Sequence, residues 1–150
     1  MLILGCGNRQ RADDGAGILA AERLRALGIA AQVCSGELSE LMDAWSGVQE
    51  VILIDAVVTG APAGAVHVWD GQSLPVFAMS AGSTHGLGVA QAIQLARVLD
   101  CLPARLRVYG IEGNEFEIGN PVSPQVERAV EEVVQRIASQ VMGTSICDSI

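Results

Sequence analysis

The chain has 150 residues, half of them hydrophobic and 17% charged, a length that suits one domain able to bury about 68–70% of its unfolded surface. Nine basic residues against seventeen acidic ones leave a net charge of −8, which argues against a nucleic-acid partner, since a phosphate backbone needs a concentrated positive surface. The composition is too apolar for disorder, no stretch approaches the length of a membrane span, and the four scattered cysteines (Cys6, Cys34, Cys101, Cys147) form no CxxC pair, which disfavours a structural zinc site and suits buried, reduced thiols.

Leu2 to Leu4 reads as the first strand. The opening residues MLILG carry neither a basic leader nor a long apolar region with a cleavage site, so a cytoplasmic protein is expected. A glycine-rich turn, GCGNRQRADDGAG, follows and contains Asp13 and Asp14. Apolar residues at helical spacing then run from Gly17 to Leu27. Ala30 to Cys34 reads as a second strand, Leu38 to Trp45 as a second helix and Val51 to Ile54 as a third strand. Only AVVTGAPAGA separates that strand from the run Val66 to Trp69. This connection is too short and too rich in Gly and Pro for a crossover helix, so the fourth strand is expected to be an antiparallel edge. Leu87 to Leu99 reads as a helix and Leu106 to Ile111 as the last strand. Ser123 and Pro124 mark a helix start, with serine suited to capping and proline to the first turn. Val126, Val130, Val133, Val134, Ile137 and Val141 then form one apolar stripe. After Gly143 no periodicity remains, and a loose tail is expected. The order predicts an α/β fold: a three-layer sandwich with a twisted, mostly parallel five-stranded sheet, helices on both faces and one antiparallel edge strand.

In such a sheet, ligands gather beyond the carboxyl ends of the parallel strands. Asp14 follows the first strand, Asp55 closes the run VILID, and His85 in SAGSTHGLG precedes the helix that leads to the last strand. Together they bring two carboxylates and one imidazole to one rim, a plausible metal-contact set that suits zinc, nickel, manganese or iron better than calcium. Each has a plainer reading. Asp13 or Asp14 could serve as an N-cap, Asp55 could cap the turn after its strand, and His85 could order its own glycine loop. His67, alternating with Val66 and Val68, reads as a solvent-facing residue of the edge strand.

A nucleotide cradle fits poorly, because two carboxylates would repel the phosphate that a glycine loop usually holds. Gly5, Cys6 and Gly7 begin like GxGxxG, but Gln10 stands at the third glycine and the helix starts late. Glu37 is better read as an exposed acid at a helix start than as a ribose ligand. A Cys6 nucleophile with His85 as base lacks an evident orienting partner.

The segments LGCGNRQRADDGAG, VILIDAVVTG, STHGLGV and YGIEGNEFEIGNPVSPQVERAV resemble the hydrogenase maturation endopeptidases, which trim the carboxyl-terminal extension from the large subunit of nickel-iron hydrogenases. The likeness covers nearly the whole chain, so residues 1–150 are expected to form a single domain of that type. The resemblance implies a peptidase, often classed as aspartic-type, in which Asp14, Asp55 and His85 contact metal. It further implies that the metal is nickel carried by the precursor and not an ion owned by the protease. Asp13 is left as a possible general base. The expected partner is a hydrogenase large-subunit precursor, with no nucleotide, no nucleic acid and no membrane, and a monomer is expected. The alternative on the same fold is a non-catalytic nickel-binding or precursor-binding maturation chaperone. Arg9 and Arg11 flank Gln10, where the family commonly has an apolar residue. They read either as contacts for the substrate tail or as two exposed arginines balancing the aspartates. Glu112, Phe116 and Gly119 read as architectural or rim residues.

Overall fold

A computed structural model describes residues 1–74 and 89–148, with side chains through residue 143. Strand β1 (Leu2–Cys6) is followed by a 3-10 turn at Ala12–Gly15 and helix α1 (Ala16–Ala26). Then come β2 (Gln32–Cys34), α2 (Leu38–Trp45), β3 (Glu50–Val57), β4 (Val66–Asp70), a short 3-10 turn at Gly71–Ser73, α3 (Val89–Val98), β5 (Arg105–Glu112) and α4 (Pro124–Asp148). The sheet order is β2-β1-β3-β5-β4. β1 pairs in parallel with β2 and β3, β3 in parallel with β5, and β4 runs antiparallel to β5. The short, glycine-rich connection after β3 therefore does what its length dictates. It returns the chain as an antiparallel edge strand, while the longer connections cross over with helices.

The period-2 alternation of the strands divides the core. Leu4, Cys6, Val51, Leu53, Val57, Leu106 and Val108 face α2 and α3. Ile3, Ile52, Ile54, Tyr109 and Ile111 face α1 and α4, where Leu24, Val126, Val130, Val133, Val134 and Ile137 complete the second core. The three-layer arrangement follows from strands buried on both faces. Among the described residues, no helix is long and apolar enough to cross a membrane.

Helix α1 lies unusually close to β1 because both elements carry glycine at the crossing. A Cβ on Gly17 would stand 2.3 Å from the Cys6 carbonyl oxygen and 2.4 Å from that of Ile54, and one on Gly5 would stand 2.1 Å from the Gly17 carbonyl oxygen. This contact brings the start of α1 against the carboxyl ends of β1 and β3. The helix itself begins at Ala16, beyond the reach of a GxGxxG turn.

Four details differ from expectation. Helix α4 continues past Gly143 to Asp148 instead of ending in a loose tail. Ser123 begins it through the backbone, its carbonyl accepting from the Glu127 N–H at 2.9 Å, whereas its Oγ has no hydrogen-bond partner among the described residues. Cys101 is exposed where a buried thiol was expected; Cys6 and Cys34 are buried and free, and the Cys147 side chain lies outside the described ones. His67 is not a solvent-facing strand residue, for a reason given below.

Candidate active site

The chain leaves β1 through Gly7, whose φ of 141° favours glycine. A Cβ there would meet the Asp14 carbonyl oxygen at 2.0 Å and lie 3.9 Å from Asp55 Oδ1. The missing side chain thus lets the Asp14 turn fold down beside the end of β3. The Gly7 N–H donates to the Cys34 carbonyl at 3.1 Å and the Asn8 N–H to the Asp14 carbonyl at 3.1 Å, closing the turn.

Asp13 and Asp14 have different surroundings. The Asp13 side chain is buried with 0% exposure. Its Oδ2 accepts from the backbone N–H groups of Asn114 and Glu115, both at 2.9 Å, and its Oδ1 from that of Ser123 at 2.8 Å. Its own N–H donates to the Glu115 carbonyl at 2.8 Å. Asp13 therefore ties the first loop to the segment after β5. Neither aspartate caps α1: the capping position is Gly15, with no side-chain hydrogen bond.

Asp14 is half-buried, its side chain 19% exposed, with Oδ2 3.7 Å from Arg11 Nη1. Asp55, near the end of β3, is also half-buried, and its Oδ1 accepts from the Ala56 N–H at 2.9 Å. Its carboxyl is pushed well above the usual carboxylate range, chiefly by desolvation and next by the neighbouring Asp14 charge. The Ala56 N–H opposes the rise, and Cys34 adds to it. The structure thus brings two of the three predicted residues together, and their mutual repulsion is the electrostatic signature of a place that suits a cation. His85 lies outside the described residues, as do Leu87 and Gly88 at the predicted start of α3. Among the described residues, no three His, Cys, Asp or Glu side chains gather to hold a metal ion. The pair that is described fits a divalent transition metal as donor chemistry, supplying two carboxylates at a strand-end rim and leaving further positions for other ligands.

Cys6 is fully buried, with Sγ 2.6 Å from Cys34 Sγ. Its thiol is pushed well up, first by the hydrogen bond with Cys34 and then by burial, while that same bond lowers Cys34. A buried thiol that holds its proton is a poor nucleophile.

Other residues of the rim carry more than the sequence suggested. Arg9 is exposed and pairs with Glu22 at 3.1 Å, whereas Arg11 is 8% exposed, which corrects the reading of two exposed arginines. Glu112 is buried at the end of β5 and accepts from the Thr59 N–H and Oγ at 2.7 Å each. His67 Nε2 lies 3.1 Å from the same carboxylate, and the His67 ring stacks on Trp69 with centroids 5.0 Å apart. His67 is drawn inward because a buried carboxylate needs donors. This network pins the loop that follows Asp55. An acid closing an apolar strand was its only signal in the sequence.

A family described as hydrogenase maturation protease (HycI) matches residues 36–140. The solved [NiFe] hydrogenase maturation protease HybD from Thermococcus kodakarensis is 26% identical, with a TM-score of 0.74 over 93% of this chain and 97% of that one. The hydrogenase maturating endopeptidase HybD from E. coli is 22% identical, with a TM-score of 0.76 over 95% of this chain and 92% of that one, a likeness of fold. The hydrogenase expression/formation protein HupD of Thiocapsa roseopersicina is 26% identical over 142 residues, which span 90% of this chain and 64% of that protein.

Proposed function

The chain belongs to the hydrogenase maturation protease family, and from that premise we propose that it removes the carboxyl-terminal extension of a nickel-loaded large-subunit precursor of a nickel-iron hydrogenase. It acts as a cytoplasmic monomer. The observation that carries the reading is the pairing of Asp14 and Asp55 beside Gly7, where the charge of Asp14 contributes to the raised carboxyl of Asp55.

Nickel in this scheme is the substrate's cargo. Asp14 and Asp55 meet it as carboxylates, and His85 is the third contact. Only a loaded precursor gains those contacts, and the difference in binding holds its scissile bond at the rim. Asp13 keeps the first loop in register with the segment after β5, and Glu112 holds the loop after Asp55. Hydrolysis adds water to the amide carbonyl carbon and passes a proton to the leaving nitrogen; the precursor's nickel would polarise that carbonyl or activate the water, and Asp13 is the alternative base.

Purified protein mixed with extended precursor, with and without nickel, tests the reading by the mass of the large subunit. Loss of the tail in the nickel-loaded sample alone is expected. Cleavage without nickel removes the checkpoint. Nickel-dependent binding with no cleavage in either sample replaces the protease with a maturation chaperone.

A further inference from the structure

The loop that presents Asp14 also buries a cation. Arg11 is 8% exposed despite lying in a polar stretch at the rim of the sheet. Its backbone N–H donates to the Asn8 carbonyl at 3.2 Å, its Cζ lies 6.0 Å from the centre of the Phe116 ring, and its Nη1 lies 3.7 Å from Asp14 Oδ2. That last separation is an ion pair, too long for a hydrogen bond. Nη1 has no hydrogen-bond partner among the described residues. A guanidinium removed from water with an unmatched donor is costly to fold. The guanidinium lies at the outer limit of a cation–π contact with Phe116, and an unbranched apolar side chain would still cover the ring. What the charge does change is the field at the two carboxylates.

Resting on the reading that Asp14 and Asp55 meet metal held by a precursor, we infer that Arg11 is a positioning residue that fixes the Asp14 carboxylate and keeps the rim's affinity for free divalent metal low. A divalent ion at the carboxylate pair feels a fixed positive charge one side chain away. In a partly desolvated site that repulsion lowers affinity by at least about tenfold. The rim then engages a metal whose charge is already offset by another protein's ligands, and it does not collect ions from solution. Two bare carboxylates would lack that discrimination.

Titration calorimetry with Ni²⁺ on the full-length protein tests the inference, with folding of each variant checked by circular dichroism. Arg11→Met is expected to bind Ni²⁺ at least about tenfold more tightly than the wild type. Arg11→Lys, which restores the charge, is expected to return to the weak wild-type binding, and Asp14→Asn added to Arg11→Met is expected to erase the gain. Arg11→Gln provides a second neutral variant for which the same tightening is required. Binding by the neutral variants no tighter than wild type, tightening that Arg11→Lys shares, or tightening that survives Asp14→Asn would each overturn it. These outcomes are separable from the functional reading, because failure of the wild-type protein to cleave nickel-loaded precursor removes that reading whatever the affinities are.

Discussion

Replacing Asp13 by asparagine tests the clamp that sets it apart from Asp14. The carboxylate is 0% exposed and takes three backbone donors, those of Asn114 and Glu115 on Oδ2 and that of Ser123 on Oδ1. Asparagine has the same shape but one acceptor oxygen, so its amide nitrogen must face at least one of those N–H groups. If the oxygen keeps the Asn114 and Glu115 donors, the Ser123 N–H meets a second donor where a charged acceptor stood. A hydrogen bond to a charged group contributes about 1.5–3 kcal/mol, and an orphaned buried donor costs about 1–3 kcal/mol. The two effects overlap, and a net loss of about 3 kcal/mol is expected. For a chain of this length that lowers Tm by about 6–12 °C. Urea unfolding at pH 7, followed by circular dichroism, measures the loss. A change below about 1 kcal/mol would refute the clamp, and normal stability with abolished cleavage would assign Asp13 to the chemistry as a base.

Asp14→Asn, Asp55→Asn and His85→Gln, made singly, are expected to abolish processing of a nickel-loaded precursor while leaving the circular dichroism spectrum unchanged; normal processing by all three would sink the site assignment. The folded-state carboxyl of Asp55 lies above its unfolded value of about 3.9, so folding takes up a proton there, and stability is lost as pH rises from about 4 through the raised value. Asp55→Asn cannot ionise and is therefore expected to melt at a higher temperature than the wild type at pH 7, an advantage that thermal scans should show fading below about pH 4. Gly17→Ala places a methyl group 2.3 Å from one backbone oxygen and 2.4 Å from another, neither of which can move aside alone, so a loss of about 3 kcal/mol is expected in denaturant unfolding. Glu112→Ala orphans the Thr59 donors and frees His67; a loss of about 3 kcal/mol is expected by the same measurement, together with faster amide exchange at Thr59.

The architecture was legible because its signals are local and periodic. Short apolar runs rich in branched residues became β1, β3 and β5, and the short, proline-containing connection after β3 fixed β4 as an antiparallel edge. Asp14 and Asp55 could be assigned to one rim because Asp14 follows one parallel strand and Asp55 lies near the carboxyl end of another, and topology alone brings such positions together. What could not be read were contacts between segments distant in sequence. Nothing in ADDG says that Asp13 turns toward residues about a hundred positions later, and nothing in VHV says that His67 finds a carboxylate on the neighbouring strand. The burial of Arg11 was hidden for the same reason: an arginine between polar neighbours is ordinarily solvated, and its contact with Phe116, about a hundred positions later, is not written in its own segment.

Adjacent aspartates with separate tasks follow from the shape of their turn. They sit in a 3-10 segment, Ala12–Gly15, where three residues per turn set neighbouring side chains about 120° apart. Asp13 can therefore enter the protein while Asp14 stays at the rim. The turn is entered through Ala12 at a φ of 48°, a left-handed conformation that costs a residue with a Cβ about 1–2 kcal/mol. The three charge-assisted bonds of Asp13 are large enough to offset that strain, so the clamp holds the turn in a shape it would not adopt alone. The same shape places Arg11 beside Asp14 on one side and brings Asp14 near Asp55 on the other. Asp13 thus sets the geometry in which the other charges act.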